Sequence, residues 1–166
     1  SHLGRPDGKR NGRMSMAPVA KRLGELLSKK VAFVDDCIGP KVQAAAASLK
    51  AGQCLVLENL RFYNEETIKD KDARENVQLR EAKASFARQL AGMADVYVDD
   101  AFGTAHRAHA STTIIARFFP VDRMFGYLMK NEVENLEKVF NNPVRPFTAV
   151  IGGAKVSDKI LVIEYG

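Results

Sequence analysis

Three loops of this chain carry guanidinium and imidazole groups. The first is His2-Leu3-Gly4-Arg5-Pro6 and the second is Glu58-Asn59-Leu60-Arg61-Phe62. The third runs from Asp99 through Phe102-Gly103-Thr104-Ala105-His106-Arg107-Ala108-His109 to Ser111. Arginine offers a planar fork of donors that matches the paired oxygens of a carboxylate or phosphate, and its charge is not titrated away near neutral pH. Three such forks in one crevice would bind a small ligand with more than one negative charge. The alternative is that each arginine pairs with a local acid, Arg61 with Glu58 or Arg107 with Asp99 or Asp100. His109 is open to two roles, a ligand contact or a packed group that holds the loop.

A further pattern lies at Val150-Ile151-Gly152-Gly153-Ala154-Lys155-Val156-Ser157-Asp158-Lys159. A strand running into paired glycines, with Lys155 and Lys159 one turn apart on the following helix, would bring backbone N–H groups and two ammonium groups to a phosphate. The spacing fits neither the Walker pattern nor the dinucleotide Gly-x-Gly-x-x-Gly, so the bare pattern reads first as a tight turn and second as a phosphate site. No serine with a base, metal triad or pair of carboxylates at catalytic spacing is evident. Anion positioning on one side of a linker and phosphate positioning on the other suit phosphoryl transfer. There, charge neutralisation and in-line placement supply most of the catalysis.

The elements that must hold these loops follow from periodicity. Met16, Val19, Ala20, Leu23, Leu26 and Leu27 recur at three and four, which predicts an amphipathic helix with Ser15 as N-cap and Pro18 in the first turn. Val31 to Val34 is a short apolar run of the kind expected for a strand covered on both faces. A turn over 35–40 leads to an alanine-rich helix, Lys41 to Ala51, ending at Gly52. The pattern repeats with a strand from Gln53 to Leu57, a long polar loop through Asp72, and a helix closed by Gly92. That helix is expected to turn Leu79, Ala82, Phe86 and Leu90 inward. A further strand spans Asp95 to Val98. Alternating strands and helices predict an α/β fold, a doubly wound parallel sheet with right-handed crossovers and helices on both faces. Ligands bind such sheets outside the carboxyl ends of the strands, so the three basic loops should converge on one rim.

After Pro120 the rhythm changes. Phe125, Met129, Val133, Leu136 and Phe140 form one stripe on a helix ending at Asn141-Asn142-Pro143, and Pro143-Val144-Arg145-Pro146 is a stiff link. A new strand, Phe147 to Ile151, follows. The chain therefore divides into a basic-loop domain at 1–129, a connector at 130–146 and the start of a second domain at 147–166.

With 166 residues, 46% of them hydrophobic, the chain can bury a sizeable core. Its net charge of +5 is uneven: the first 30 residues carry +6 and the remainder −1. That concentration draws anions toward the N-terminal loop, although Lys9, Arg10 and Arg13 read as a solvated face. No basic helix, aromatic RNA-binding motif or zinc-finger spacing accompanies the charge, so nucleic acid is not the expected partner. Cys37 and Cys54, 17 positions apart, form no disulfide framework or metal-ligand spacing and fit a reducing compartment. No apolar run approaches membrane-spanning length, and no signal peptide is visible. The chain lacks an initiator Met, opens without the strand its first loop should follow, and stops inside an apolar segment, so it reads as a piece truncated at both ends.

Taken together, the three basic loops and Gly152-Gly153-Ala154-Lys155-Val156-Ser157-Asp158-Lys159 resemble the phosphoglycerate kinase family, in order and at compatible spacing, from Ser1 to about Glu164. The resemblance implies a cytoplasmic, monomeric, two-domain hinge-bending enzyme. It would move a phosphoryl group between 1,3-bisphosphoglycerate and ADP, giving 3-phosphoglycerate and ATP with Mg²⁺. It casts His2, Leu3, Gly4, Arg5, Arg61, His106 and Arg107 as the glycerate-binding patch and Gly153, Ala154, Lys155 and Lys159 as the start of the nucleotide side. Lys155 and Arg5 take the catalytic roles, and no residue of this chain is assigned to metal. The Mg²⁺ nucleotide would be held mainly by a domain beyond this piece, which alone is expected to be inactive. A non-catalytic module that binds a small anion is the alternative, and a truncated product that folds poorly is a third reading. One departure stands out: Asp99 occupies the place of the family's usual Asn and puts an extra negative charge beside the basic loop.

Overall fold

A computed structural model describes residues 1–141, 143–148 and 150. The chain runs α1 (Ala17–Leu27), β1 (Val31–Val34), α2 (Pro40–Ala47), β2 (Cys54–Leu57), α3 (Asp70–Glu75), α4 (Val77–Ala91), β3 (Tyr97–Asp99), β4 (Arg123–Phe125) and α5 (Tyr127–Asn141). Strands β1 and β2 pair in parallel with Val31 opposite Cys54, and β3 pairs in parallel with β4 with Tyr97 opposite Arg123. This is the α/β alternation of parallel strands and helices that the sequence predicts. The strands, however, form two separate parallel pairs, because no described strand lies between them to hydrogen-bond both.

The core lies between α4 and the segment after the third basic loop. Phe86, Ala87, Leu90 and Ala91 of α4 pack with Cys37, Leu60, Ala110, Ile115 and Phe119. Tyr97 stacks on Phe119 at 5.7 Å between ring centroids, and Tyr63 tilts against Phe86 at 5.4 Å. Aromatic pairs at these separations add to the area they bury.

Several expectations shift. Helix α1 begins at Ala17, and Ser15 is not its sole cap. The Ser15 hydroxyl accepts from Ala17 N at 3.2 Å, while the distant Glu58 carboxylate takes Met16 N at 2.7 Å. Val19, Leu26 and Leu27 face solvent, so α1 is anchored by a narrower stripe around Met16 and Ala20. Helix α2 ends at Ala47 instead of Ala51, since the chain must turn through Gly52, at φ +77°, to enter β2. On α4, Leu79 sits in the first turn beyond the core and is exposed, and Lys83 takes a buried place that the apolar pattern did not mark. Its Nζ donates to Ile68 O at 2.8 Å and to Asp70 Oδ1 at 3.2 Å, which satisfies the ammonium while the stem packs.

The polar loop after β2 is ordered into 3₁₀ turns at Leu60–Phe62 and Asn64–Thr67 and the short helix α3. Strand β3 is Tyr97–Asp99, shifted toward the loop, and Phe125 belongs to β4 instead of the α5 stripe. Strand β1 is not covered on both faces, since Ala32 is exposed. Phe147, Thr148 and Val150 lie in no regular element. The rest of the expected strand and the Gly152 to Lys159 pattern fall outside the described residues.

Helix α5 is fastened at its start. Asp100 Oδ1 accepts from Met129 N at 3.0 Å, and Gly126 N donates to Asp99 O at 2.8 Å. A Cβ at position 126 would lie 2.3 Å from Asp100 Cγ, so only glycine lets the carboxylate reach the helix.

Candidate functional site: a cationic cavity at the carboxyl ends of the strands

The second basic loop is built around Glu58 and Asn59, which leave the end of β2 and turn inward. Asn59 is fully buried. Its amide nitrogen donates to Leu3 O and Met14 O, both at 2.8 Å, and its Oδ1 accepts from Arg61 N at 3.0 Å. One side chain thus ties the first basic loop to the second. Glu58 accepts from Ser15 Oγ, Met16 N and Asn59 N at 2.7 to 2.8 Å, which points its charge toward α1 and away from Arg61.

With Glu58 turned away, Arg61 reaches across to the first loop, where Nη1 donates to Gly4 O at 3.1 Å. Gly4 sits at φ +67°, a conformation suited to glycine. Arg61 Nε is buried and has no hydrogen-bond partner among the described residues. In the third loop, Arg107 Nε donates to His106 Nε2 at 3.0 Å. Asp99 turns back to accept from Ala101 N, and Asp100 caps α5, so neither pairs with Arg107. Among the described residues, no ion pair within 4 Å joins Arg5, Arg61 or Arg107 to a carboxylate. The local-pairing alternative therefore fails for all three. Arg10, read as solvated, instead bridges to Asp36 at 2.8 Å.

Arg5, Arg61, His106, Arg107 and His109 line one cavity of about 510 Å³, beside Asp7 and Asp70. The volume is that of a small-molecule site. His2, Leu3 and Gly4 do not line it; Leu3 and Gly4 serve it through the carbonyls that Asn59 and Arg61 grip. Burial lowers the affinity of the Arg61 guanidinium for its proton, Glu66 opposes this, and the charges of Arg107 and Arg5 add to the strain. Partial desolvation, followed by the Arg61 charge, holds the His2 imidazole below its usual range.

His109 takes the packed role. It is buried, and burial together with the Arg61 and Arg107 charges pushes its pKa down to about 4, so it is neutral at physiological pH. It faces Glu66, whose Oε1 lies 3.8 Å from His109 Nδ1. Glu66 is 3% exposed and accepts from Ser111 Oγ at 2.7 Å and Ser111 N at 3.0 Å. Sequence reasoning missed Glu66, Asn59 and Lys83 as parts of this site. No signal separates a buried carboxylate in a polar loop from a solvated one, whereas Asn59 stood inside a motif already singled out.

Parallel strands whose carboxyl ends carry guanidinium groups, unpaired among the described residues, around a small cavity define an α/β domain with one concentrated cationic site. The match to the Phosphoglycerate kinase family covers residues 1–165, and the chain belongs to that family. Similar proteins include the phosphoglycerate kinases of Candida maltosa, 52% identical over 166 residues, and of Moorella thermoacetica, 53% identical over 164. Each alignment takes in 99% of this chain, but only 39% and 38% of those proteins, so the chain spans about two fifths of their length. The structure of phosphoglycerate kinase from Coxiella burnetii superposes with a TM-score of 0.73 at 37% identity, covering 99% of this chain and 37% of that one. That from Pyrococcus horikoshii OT3 gives 0.72 at 32% identity, covering 90% and 35%.

Proposed function

We propose that this chain supplies the glycerate-binding half of a phosphoryl-transfer enzyme, one that converts 1,3-bisphosphoglycerate and ADP to 3-phosphoglycerate and ATP. The observation that carries the reading is the convergence of Arg5, Arg61 and Arg107 on one cavity with no carboxylate among the described residues paired to any of them. 3-Phosphoglycerate bears a carboxylate and a phosphate a few bonds apart, and bidentate guanidinium contacts fix both ends of such an ion. In this reading Arg61 and Arg107 hold the ligand and His106 supports Arg107. Arg5 stands where charge on the transferring group can be offset. The acyl-phosphate bond breaks, a β-phosphate oxygen of ADP accepts the phosphoryl group, and the glycerate carboxylate leaves into the guanidinium field.

Gly153, Ala154, Lys155 and Lys159 would begin the nucleotide side, with Lys155 following the phosphoryl group. The division at 1–129, 130–146 and 147–166 would let the connector bring the two anions into line and exclude water. Mg²⁺ would travel with the nucleotide. Asp7 and Asp70 are the carboxylates along this arginine-lined cavity, and no group of three metal-ligating side chains occurs among the described residues. The reading is of a monomeric cytoplasmic enzyme. No helix among the described residues is long and apolar enough to cross a membrane, and Cys37 and Cys54 are both free.

Calorimetric titration of the chain with 3-phosphoglycerate tests this. Arg61→Ala should weaken binding by about tenfold or more, the scale of lost charge-assisted hydrogen bonds, while Arg13→Ala leaves it unchanged. Equal affinities in the wild type and Arg61→Ala would remove the site. In a protein that carries both halves, Lys155→Ala should lower turnover with glycerate affinity intact. Glycerate binding without any Lys155-dependent transfer would favour the non-catalytic module.

A further inference from the structure

Arg61 and Arg107 follow different strands, and a ligand gripped by both requires their loops to keep a fixed separation. Glu66 lies five residues past Arg61 on the 3₁₀ turn Asn64–Thr67, and Ser111 lies four residues past Arg107 at the root of the third loop. The two bonds from Ser111 to the Glu66 carboxylate join these segments directly. Ser111 is held from its other side as well, because Tyr97 Oη donates to Ser111 O at 2.9 Å and to Thr112 O at 3.1 Å.

The chemistry of the Glu66 group is informative. Ser111 presents two donors, N–H and O–H, and a carboxylate accepts both. A glutamine in the same place would turn an NH₂ toward one of them; the hydroxyl can rotate to accept it, so that substitution exchanges two charge-assisted bonds for neutral ones. A buried carboxylate is costly without compensation, and here the two Ser111 hydrogen bonds offset part of that cost, with nearby positive charge, Arg61 included, adding less. Glu66 does not line the cavity, so it acts on whatever binds there through the loops it joins.

We propose that Glu66 is a positioning residue for the anion site: its buried carboxylate holds the loop bearing His106 and Arg107 in register with Arg61. The inference rests on the reading of the cavity as the 3-phosphoglycerate site.

The test uses the full chain, titrated calorimetrically with 3-phosphoglycerate as wild type, Glu66→Gln, Ser111→Ala, Arg107→Ala and the double variants, with circular dichroism to establish folding. Glu66→Gln should weaken binding about tenfold, one charge-assisted hydrogen bond's worth, and Ser111→Ala a few-fold. In the Arg107→Ala background both effects should shrink, because the position being set is that of Arg107. A role confined to stability would lower the thermal midpoint, leave affinity in the folded chain unchanged and add to Arg107→Ala; that result overturns the proposal. If Glu66→Gln does not fold, the Ser111→Ala and Arg107→Ala cycle decides alone. Weakened binding in Arg107→Ala with wild-type affinity in Glu66→Gln and Ser111→Ala removes the positioning role and keeps the functional reading. A wild-type chain that does not bind 3-phosphoglycerate overturns both.

Discussion

His109 shows how a side chain in a basic motif can serve without bearing charge. Its imidazole titrates at about 4 in the folded chain against 6.5 when unperturbed. Between those values the unfolded chain binds the additional proton, so stability rises with pH across that window and is lost as pH falls through it. Glu66, whose carboxyl burial raises above its ordinary 4.5, acts in the opposite sense, adding stability on the acid side of its own shifted value. The comparison that isolates His109 is therefore with His109→Asn. Urea denaturation should show the wild type losing more stability than the variant from pH 6.5 to 4.5, by about 1–3 kcal/mol. Equal losses would mean that the ring is not held neutral. The third basic loop was legible as a motif, but the burial of His109 within it was not. Neutrality arises from burial and from Arg61, which lies 48 positions away in the sequence.

Among the elements, α4 and the segment before it depend on one ammonium group. Lys83 is 2% exposed and holds Ile68 O and Asp70, residues that line the cationic cavity. Lys83→Met keeps most of the stem and removes the donor, leaving a carbonyl unsatisfied. The variant should lose about 1–3 kcal/mol in urea unfolding. An unchanged denaturation midpoint would show that water replaces the ammonium without penalty. Element types were readable from apolar spacing: β1 falls where the run Val31 to Val34 places it, and α4 closes at Gly92. Ends were harder to read, because the N-terminus of α1 is served by Glu58, 42 residues from Met16, and no local pattern reports such a partner.

Across the whole molecule, Cys37 and Cys54 report on different depths. Cys37 is completely buried in the core beside Phe86 and Leu90, and desolvation, with Asp36 adding to it, pushes its thiol up to about 12. Cys54 opens β2 and is partly exposed. A thiol reagent at pH 8 should label Cys54 first and reach Cys37 only at the rate of global opening, so the slow phase should vary with urea as stability does. Two phases of equal rate would mean that the core breathes locally. The general architecture, alternating strands and helices with basic loops at one edge, was apparent from the sequence. The separation into two strand pairs was not, since periodicity describes each strand and is silent on which neighbours it meets.

The Asp100 contact tethers α5 at its N-terminal end. Met129, whose own N–H the tether holds, is buried, while Leu136 and Phe140 farther along are exposed. Fraying should begin at the distal turns and stop near Met129. Deuterium uptake along α5 would then follow a gradient, slowest in the turn that Asp100 clasps, and Asp100→Ala would flatten that gradient by releasing the slow end.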